Sequence, residues 1–260
     1  MKVLDLFSGI GGFSLGLERA GFETVAFCEI DPFCRQVLNK HWPDIPIHED
    51  IKQLDGRQYR GTVDVVCGGF PCQDISWAGE GIGISGKRSG LWKEFARLVC
   101  EVRPRYSIVE NSTALLARSR GAGVVLGDLA QIGYDAEWYC IPASAVGAPH
   151  ERDRVWILAY PNGDQHEVSS HAKFGATLAR LLATYANADG YGELQQEGSE
   201  REERRRIGNS SWWAAQPDVA RVVYGFPRQV DYVRALGNAV VPQIPEVLGK
   251  AILEVEHELP

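Results

Sequence analysis

The sequence predicts an α/β fold in which helices connect the strands of a parallel sheet. Apolar runs typical of buried strands alternate with stretches of helical periodicity over the first 160 residues. The first run leads through a glycine turn into a helix and a second strand, which is a βαβ unit and implies parallel strands. The chain has 260 residues, of which 45% are hydrophobic and 23% charged, and this is enough for one large core.

The predicted elements divide the chain into three parts. The apolar pattern ends near Pro161, and the chain is polar from there to 211. A strong helical pattern returns near the C-terminus. We therefore expect a first domain at 1–160, a short second region at 161–232, and a helix within 233–260 that returns to the first domain. Strands are predicted at 2–7, 23–27, 45–47, 63–67, 106–109, 138–141 and 155–159, and helices from 13, from 32, at 91–102 and within 115–133.

Composition excludes several classes of protein. The net charge of −7 argues against binding nucleic acid by bulk charge alone, although it allows a local basic face. No apolar run is long enough to span a membrane and the N-terminus lacks the apolar core of a signal peptide, so we expect a cytoplasmic protein without a membrane partner. None of the six cysteines forms a C-x-x-C pair, which predicts reduced thiols and no metal site.

The first glycine turn and the next two strand ends suggest a nucleotide pocket. Glycines at 9, 11 and 12 let a ligand lie against the backbone, although a tight turn without a ligand explains them equally well. Glu29 ends the second strand about 20 residues later, where an acidic side chain holds a ribose diol. Asp31 precedes Pro32 as a helix N-cap. Asp50 is either an acceptor for an exocyclic amine, with Ile51 beside the ring, or a loop acid.

Two further strand ends carry candidate catalytic groups. Cys72 follows a buried strand, two glycines, Phe70 and Pro71, an arrangement that holds a thiol rigidly at the edge of a sheet. Glu110 ends another strand, and in a parallel sheet both would face one substrate at the carboxyl edge. The loop at 77–90 contains five glycines and ends in basic residues, so it is either a lid that contacts phosphate or a flexible surface loop.

Seven sequence blocks resemble the bacterial and phage DNA (cytosine-5)-methyltransferases. They are D-L-F-S-G-I-G-G-F (5–13), E-I-D (29–31), E-D-I (49–51), G-G-F-P-C-Q-D-I-S (68–76), E-N-S (110–112), H-E-R-D-R (150–154) and G-N-A-V (237–240). The resemblance implies a Rossmann-like S-adenosylmethionine-dependent methyltransferase sheet with a small target-recognition region. His150, Ser112 and Ala239 depart from the family's usual residues.

The resemblance implies a role for each matching position. Cys72 is the nucleophile, Glu110 the acid at the cytosine ring, and Arg152 and Arg154 hold the base and its neighbouring phosphate. The DNA contacts are Gln73, Ser76, Lys87 and Arg88. The residues expected to bind S-adenosylmethionine, which leaves as S-adenosylhomocysteine, are Phe7, Gly9, Ile10, Gly11, Gly12, Glu29, Ile30, Asp50, Ile51, Phe70, Pro71, Asn238 and Ala239.

The implied reaction is methylation of carbon 5 of a cytosine that has left the double helix, through addition of Cys72 at carbon 6. The expected setting is a monomer that acts on double-stranded DNA, with a companion restriction endonuclease as a possible partner. Three alternatives remain: an RNA cytosine-5 methyltransferase, for which the acidic charge leaves room, a catalytically silent DNA-binding relative, and a flavin or NAD oxidoreductase. The last of these would need G-x-G-x-x-G, which residues 9–14 do not spell.

Overall fold

A seven-stranded sheet forms the centre of the computed structural model, which describes residues 1–71, 89–117, 120–163, 167–188 and 235–258. The strands are β1 (Lys2–Leu6), β2 (Glu23–Cys28), β3 (Ile47–His48), β4 (Val65–Gly69), β5 (Tyr106–Ser112), β6 (Tyr134–Ile141) and β7 (Arg154–Pro161). The α-helices in the described ranges are α1 (Gly12–Ala20), α2 (Pro32–His41), α3 (Trp92–Val102), α4 (Ala122–Gln131), α5 (Glu167–Ala188) and α6 (Gln243–His257).

The strand order is β3-β2-β1-β4-β5-β7-β6. The first five strands in this order pair in parallel, so the predicted parallel sheet and its βαβ unit are confirmed. β7 then pairs antiparallel with both β5 and β6. The apolar run of β7 does not reveal this reversal, because a buried strand has the same composition in either direction.

Helices cover both faces of the sheet, as buried parallel strands require. Successive residues of β1 and β4 point to opposite faces, so Leu4 and Val66 belong to one core cluster while Val3 and Val65 belong to the other. The first cluster includes Phe95 of α3 and other side chains of α3 and α4. The second is formed with α1, α5 and α6.

Helix α5 lies inside the stretch 161–232 that the sequence analysis assigns to a separate recognition region. Its Phe174 and Leu178 are 2% and 1% exposed, and both belong to the second core cluster. The hydroxyl of Tyr185 donates a hydrogen bond of 2.8 Å to Glu246 Oε1 on α6. Residues 189–232 lie outside the described residues. No helix in the described ranges, α5 included, is long and apolar enough to cross a membrane.

Candidate active site

The glycine turn after β1 is closed against two neighbouring segments. Gly11 has a φ of 88°, and a Cβ atom there would lie 2.6 Å from the ring of Trp42. A Cβ atom on Gly12 would lie 2.6 Å from the carbonyl oxygen of Val240. Phe7 adopts a φ of 53°, which is strained for a residue with a side chain. Ile10 is half-buried in the same turn. The turn is therefore packed closely against the ring of Trp42 and the backbone of Val240.

Glu29 is fixed beside this turn by two backbone groups. Its Oε2 accepts a hydrogen bond of 2.7 Å from the Gly9 N–H, and its Oε1 accepts one of 2.8 Å from the Asp31 N–H. Burial raises the pKa of the Glu29 carboxyl, and the backbone hydrogen bonds oppose this effect. Asp31 accepts from the Phe33 N–H at 2.8 Å, so its predicted role as the N-cap of α2 is confirmed.

Apolar side chains lie next to Glu29. Ile30 is 71% exposed although it is a large apolar residue, while Ile51 is 6% exposed. Asp50 accepts a hydrogen bond of 3.0 Å from the Lys52 N–H. Arg97 of α3 donates to the Ile51 carbonyl oxygen at 2.8 Å and so holds this wall of the pocket. Sequence reasoning missed Arg97, because no local pattern links it to a residue 46 positions earlier.

The residues in this region match the chemical parts of S-adenosylmethionine. Helix α1 begins after Gly11 without a side-chain cap, so N–H groups at its start have no side-chain acceptor and suit a carboxylate. The Glu29 carboxylate is chemically suited to accept hydrogen bonds from ribose hydroxyls, and the exposed Ile30 is suited to contact one face of a flat base. A Cβ atom on Gly9 would meet no atom within 4 Å, which leaves the backbone open to a ligand.

A buried carboxyl group lies beneath the turn. Asp5 is 0% exposed, and its Oδ2 accepts a hydrogen bond of 2.8 Å from the Ser14 hydroxyl. Its Oδ1 is buried without a hydrogen-bond partner. Burial raises the pKa of Asp5 to about 7. The sequence analysis assigned Asp5 no role, because a carboxylate in the middle of an apolar run gives no local sign of its surroundings.

Glu110 lies on β5, directly beside the end of β4, which is the strand that leads to Cys72. Gly69 pairs with Glu110 in the parallel ladder, and a Cβ atom on Gly69 would lie 2.6 Å from Glu110 Oε2. Arg154 Nε is 2.8 Å from Glu110 Oε1. Burial raises the pKa of Glu110, and the charges of Arg154 and Arg152 act against it. Arg154 thus holds the carboxyl group in place and favours its ionised form, whereas burial favours the protonated form and leaves the pKa raised.

Asn111 fixes the chain immediately before Pro71. Its Nδ2 donates a hydrogen bond of 3.0 Å to the Phe70 carbonyl oxygen, and its Oδ1 accepts one of 2.9 Å from the Ser112 N–H. Asn111 is 1% exposed, and Phe70 is packed against Trp92 with ring centroids 5.4 Å apart. Asn111 is absent from the predicted site, although its position directly after Glu110 at a strand end was a usable signal.

The two arginines that the resemblance groups together contact different parts of the molecule. Arg154 is the first residue of β7 and its guanidinium is paired with Glu110. Arg152 donates hydrogen bonds of 2.7 Å and 2.9 Å to the carbonyl oxygens of Gly237 and Ala239, which flank Asn238. Val240, which follows Asn238 and Ala239 in the chain, lies against Gly12 of the glycine turn.

The remaining predicted residues fall outside the described ranges. They are Cys72, Gln73, Ser76, Lys87 and Arg88. Pro71, which precedes Cys72, is described and is half-buried.

The strand order, with β7 reversed, is that of the S-adenosylmethionine-dependent methyltransferase fold. Within that fold class, the sequence matches the family described as C-5 cytosine-specific DNA methylase over residues 1–216. The chain belongs to this family. The resemblance inferred from the seven sequence blocks is confirmed.

Curated relatives and solved structures agree with this assignment. The chain is 39% identical over 165 residues to the Type II methyltransferase M2.BsuMI of Bacillus subtilis (strain 168), covering 61% of this chain and 42% of that protein. It is 38% identical over 164 residues to the Type II methyltransferase M.Eco47II of Escherichia coli, covering 62% and 39%. The matched stretch thus spans about two-fifths of these relatives.

A crystal structure that bears the name of a DNA modification methyltransferase encoded within an E. coli prophage has the same fold. It superposes with a TM-score of 0.65 at 19% identity and covers 99% of this chain and 100% of its own. At this level of identity the similarity supports the fold alone, and the predicted methyltransferase sheet is confirmed.

Proposed function

We propose that this protein transfers a methyl group from S-adenosylmethionine to carbon 5 of cytosine in double-stranded DNA. The observation that carries the proposal is the placement of Glu110, a carboxyl group with a raised pKa held by Arg154 directly across from Gly69. Gly69 lies three residues before Cys72 in the chain. The family assignment and the names of the Type II relatives support the same reaction.

Cofactor binding is proposed for the pocket between the glycine turn and the ends of β2 and β3. Glu29 accepts hydrogen bonds from the ribose hydroxyls, and Ile30 and Ile51 pack against the adenine with Asp50 at its amine. Phe7, Phe70 and the backbone of the turn enclose the rest of the cofactor, and Asn238 closes its methionine end. When bound, S-adenosylmethionine supplies an electrophilic methyl group, which carbon 5 takes up as the sulfonium carbon–sulfur bond breaks.

The chain supplies the groups that activate the ring. The Cys72 thiolate adds to carbon 6 while Glu110 gives its proton to N3, and the electron pair of the former double bond becomes available at carbon 5. After methylation, loss of the carbon-5 proton to solvent returns the electron pair to the ring as the bond to Cys72 breaks, and N3 gives its proton back to the Glu110 carboxylate. Burial favours this role for Glu110, because a raised pKa keeps more of the carboxyl protonated near neutral pH.

Access to the ring requires the cytosine to leave the stacked duplex. We assign the surrounding DNA contacts to Gln73, Ser76, Lys87 and Arg88. Residues 161–232 carry eight basic and ten acidic side chains, whereas residues 70–106 carry six and four, so the positive charge lies near the catalytic stretch. We assign recognition of the target bases by polar side chains to the stretch 189–232. We also propose that the protein acts in the cytoplasm as a monomer and has a companion restriction endonuclease.

The test compares the Cys72→Ala variant with Cys140→Ala, whose thiol is exposed on β6. Each protein is incubated with methyl-labelled cofactor and either duplex DNA or tRNA. We expect Cys72→Ala to lose all transfer to DNA while it still binds the cofactor, and Cys140→Ala to behave as wild type. If Cys72→Ala still transfers label to DNA, the covalent step is refuted. If the wild-type protein transfers label to tRNA and not to DNA, the protein is an RNA cytosine-5 methyltransferase.

A further inference from the structure

Arg152 is placed to act on the cofactor end of the site. Its two terminal nitrogens each donate a hydrogen bond to a backbone carbonyl, one on either side of Asn238. The neighbouring Arg154 instead faces Glu110. The hydrogen bonds of Arg152 thus go to the backbone around Asn238, whereas Arg154 forms the direct ion pair with Glu110, on which the charge of Arg152 also acts.

The backbone that Arg152 holds is a tightly fitted part of the cofactor pocket. Within the next turn, the Val240 carbonyl oxygen lies where a Cβ atom on Gly12 would be only 2.6 Å away. Farther on, the Pro242 carbonyl oxygen would be 2.1 Å from a Cβ atom on Gly16 of α1. The segment 237–242 is thus pressed against the glycine turn and α1 on one side and is held by Arg152 on the other.

We propose that Arg152 is a positioning residue for the methionine end of the cofactor, and that it acts by fixing the backbone around Asn238. This inference rests on the proposed function, because it requires that the glycine turn and Asn238 enclose S-adenosylmethionine. It gives Arg152 a role different from the contact with base or phosphate that the family resemblance implies.

Two features of Arg152 favour a positioning role. A planar guanidinium presents parallel N–H groups in a rigid fork that can reach two acceptors at once, which a lysine ammonium cannot reproduce. The backbone of Arg152 has a φ of 39°, in the left-handed region that residues with side chains avoid. Such a conformation persists where the surrounding contacts hold it, and here the side chain is anchored at both carbonyls.

The test separates cofactor binding from DNA binding. Arg152→Lys, Arg152→Ala and the control Arg154→Lys are titrated with S-adenosylmethionine in the absence of DNA by calorimetry. We expect the Kd to rise about tenfold or more in both Arg152 variants and to stay unchanged in Arg154→Lys, because a hydrogen bond to a charged group contributes enough to change an equilibrium by that factor. In turnover assays, KM for the cofactor should rise in the Arg152 variants while KM for DNA stays constant.

Thermal unfolding of each variant identifies any general loss of structure, and Arg152→Lys carries the test if Arg152→Ala does not fold. The inference is overturned if the Arg152 variants bind the cofactor as tightly as wild type and show a raised KM for DNA. That result would instead support a contact of Arg152 with the base or phosphate. Equal losses of affinity in Arg152→Lys and Arg154→Lys also overturn it. A wild-type protein that binds no S-adenosylmethionine refutes the proposed function itself, so the two failures are distinguishable.

Discussion

Replacement of Gly69 by alanine should inactivate the enzyme without unfolding it. The new methyl group would lie 2.6 Å from Glu110 Oε2, whereas ordinary contact begins at 3.4 Å. The carboxyl group must therefore retreat by about 0.8 Å, the difference between these two distances. Because Arg154 holds the other carboxyl oxygen at 2.8 Å, this movement stretches or breaks the ion pair.

The expected size of the effect follows from this displacement. A misplacement of about 1 Å at a reacting group costs on the order of 100-fold in rate. That factor corresponds to about 2.7 kcal/mol of transition-state stabilisation. The free energy of unfolding should change by less than about 1 kcal/mol, because the atom that must move is the end of a side chain and alanine reduces the entropy of the unfolded chain. Binding of S-adenosylmethionine should be unaffected.

Two other glycines provide controls for this prediction. A Cβ atom on Gly68 would lie 2.2 Å from the Leu6 carbonyl oxygen, so Gly68→Ala should destabilise the sheet itself. A Cβ atom on Gly127 of α4 would meet nothing within 4 Å, so Gly127→Ala should leave the rate unchanged and stabilise the helix by about 0.5–1 kcal/mol. Single-turnover methyl transfer and urea unfolding are measured for all three. Wild-type turnover in Gly69→Ala would show that the position of Glu110 does not matter for the reaction.

Three further predictions concern single carboxyl groups. Glu110→Gln should lower kcat by about 10²- to 10⁴-fold. Because the protonated carboxyl is the active form, wild-type kcat should fall as pH rises through the raised pKa of Glu110, and the pH–rate profile of the variant should lack that decrease. Because burial raises the pKa of Asp5 from 3.8 to about 7, the free energy of unfolding should fall by roughly 4 kcal/mol as pH rises across that window, of which roughly 3 kcal/mol is lost between pH 5 and 8. Urea unfolding of Asp5→Asn at pH 5 and 8 should show this loss removed, and an unchanged pH dependence contradicts it. Glu29→Gln places an amide donor against either the Gly9 or the Asp31 N–H, so calorimetry should show cofactor affinity reduced about tenfold or more.

Local patterns predicted the parts of the site that lie at strand ends. The β1–α1–β2 unit brings Glu29 beside Gly9, and parallel pairing of β4 with β5 sets Glu110 opposite Gly69, as expected from apolar runs and the geometry of parallel sheets. Asp31 was recognised as an N-cap because the residues of a helix start are adjacent in sequence. In each case the information lies within a few residues of the strand end.

The missed features depend on contacts between residues far apart in the chain. Arg97 reaches the Ile51 carbonyl oxygen, and Arg152 reaches carbonyls that follow it by 85 and 87 positions. No periodicity or spacing encodes which backbone group a long basic side chain will meet. Helix α5 was overlooked for a different reason: Phe174, Leu178 and Leu182 recur at helical spacing, which was a usable signal, but the stretch 161–211 was interpreted as uniformly polar.

Because β7 runs antiparallel to its neighbours, it begins at the carboxyl edge of the parallel strands and ends at their amino edge. Arg154 stands at the beginning of its strand yet lies at the carboxyl edge, and the chain then leaves toward the opposite edge at Pro161. Helix α5 returns it: Lys173 near the start of α5 is 3.2 Å from Glu258 after the end of α6, while Tyr185 near the end of α5 bonds to Glu246 at the start of α6.

At about 1.5 Å per residue, the 22 residues of α5 span roughly 33 Å, enough to cross the sheet. The end of α5 and the segment before α6 consequently lie at the same edge of the sheet as Glu110 and the glycine turn. Both attachment points of the intervening stretch belong to the rigid scaffold. Under the proposed function, a change of target would require a change only between these two ends, and the strands that carry Glu29 and Glu110 would keep their order.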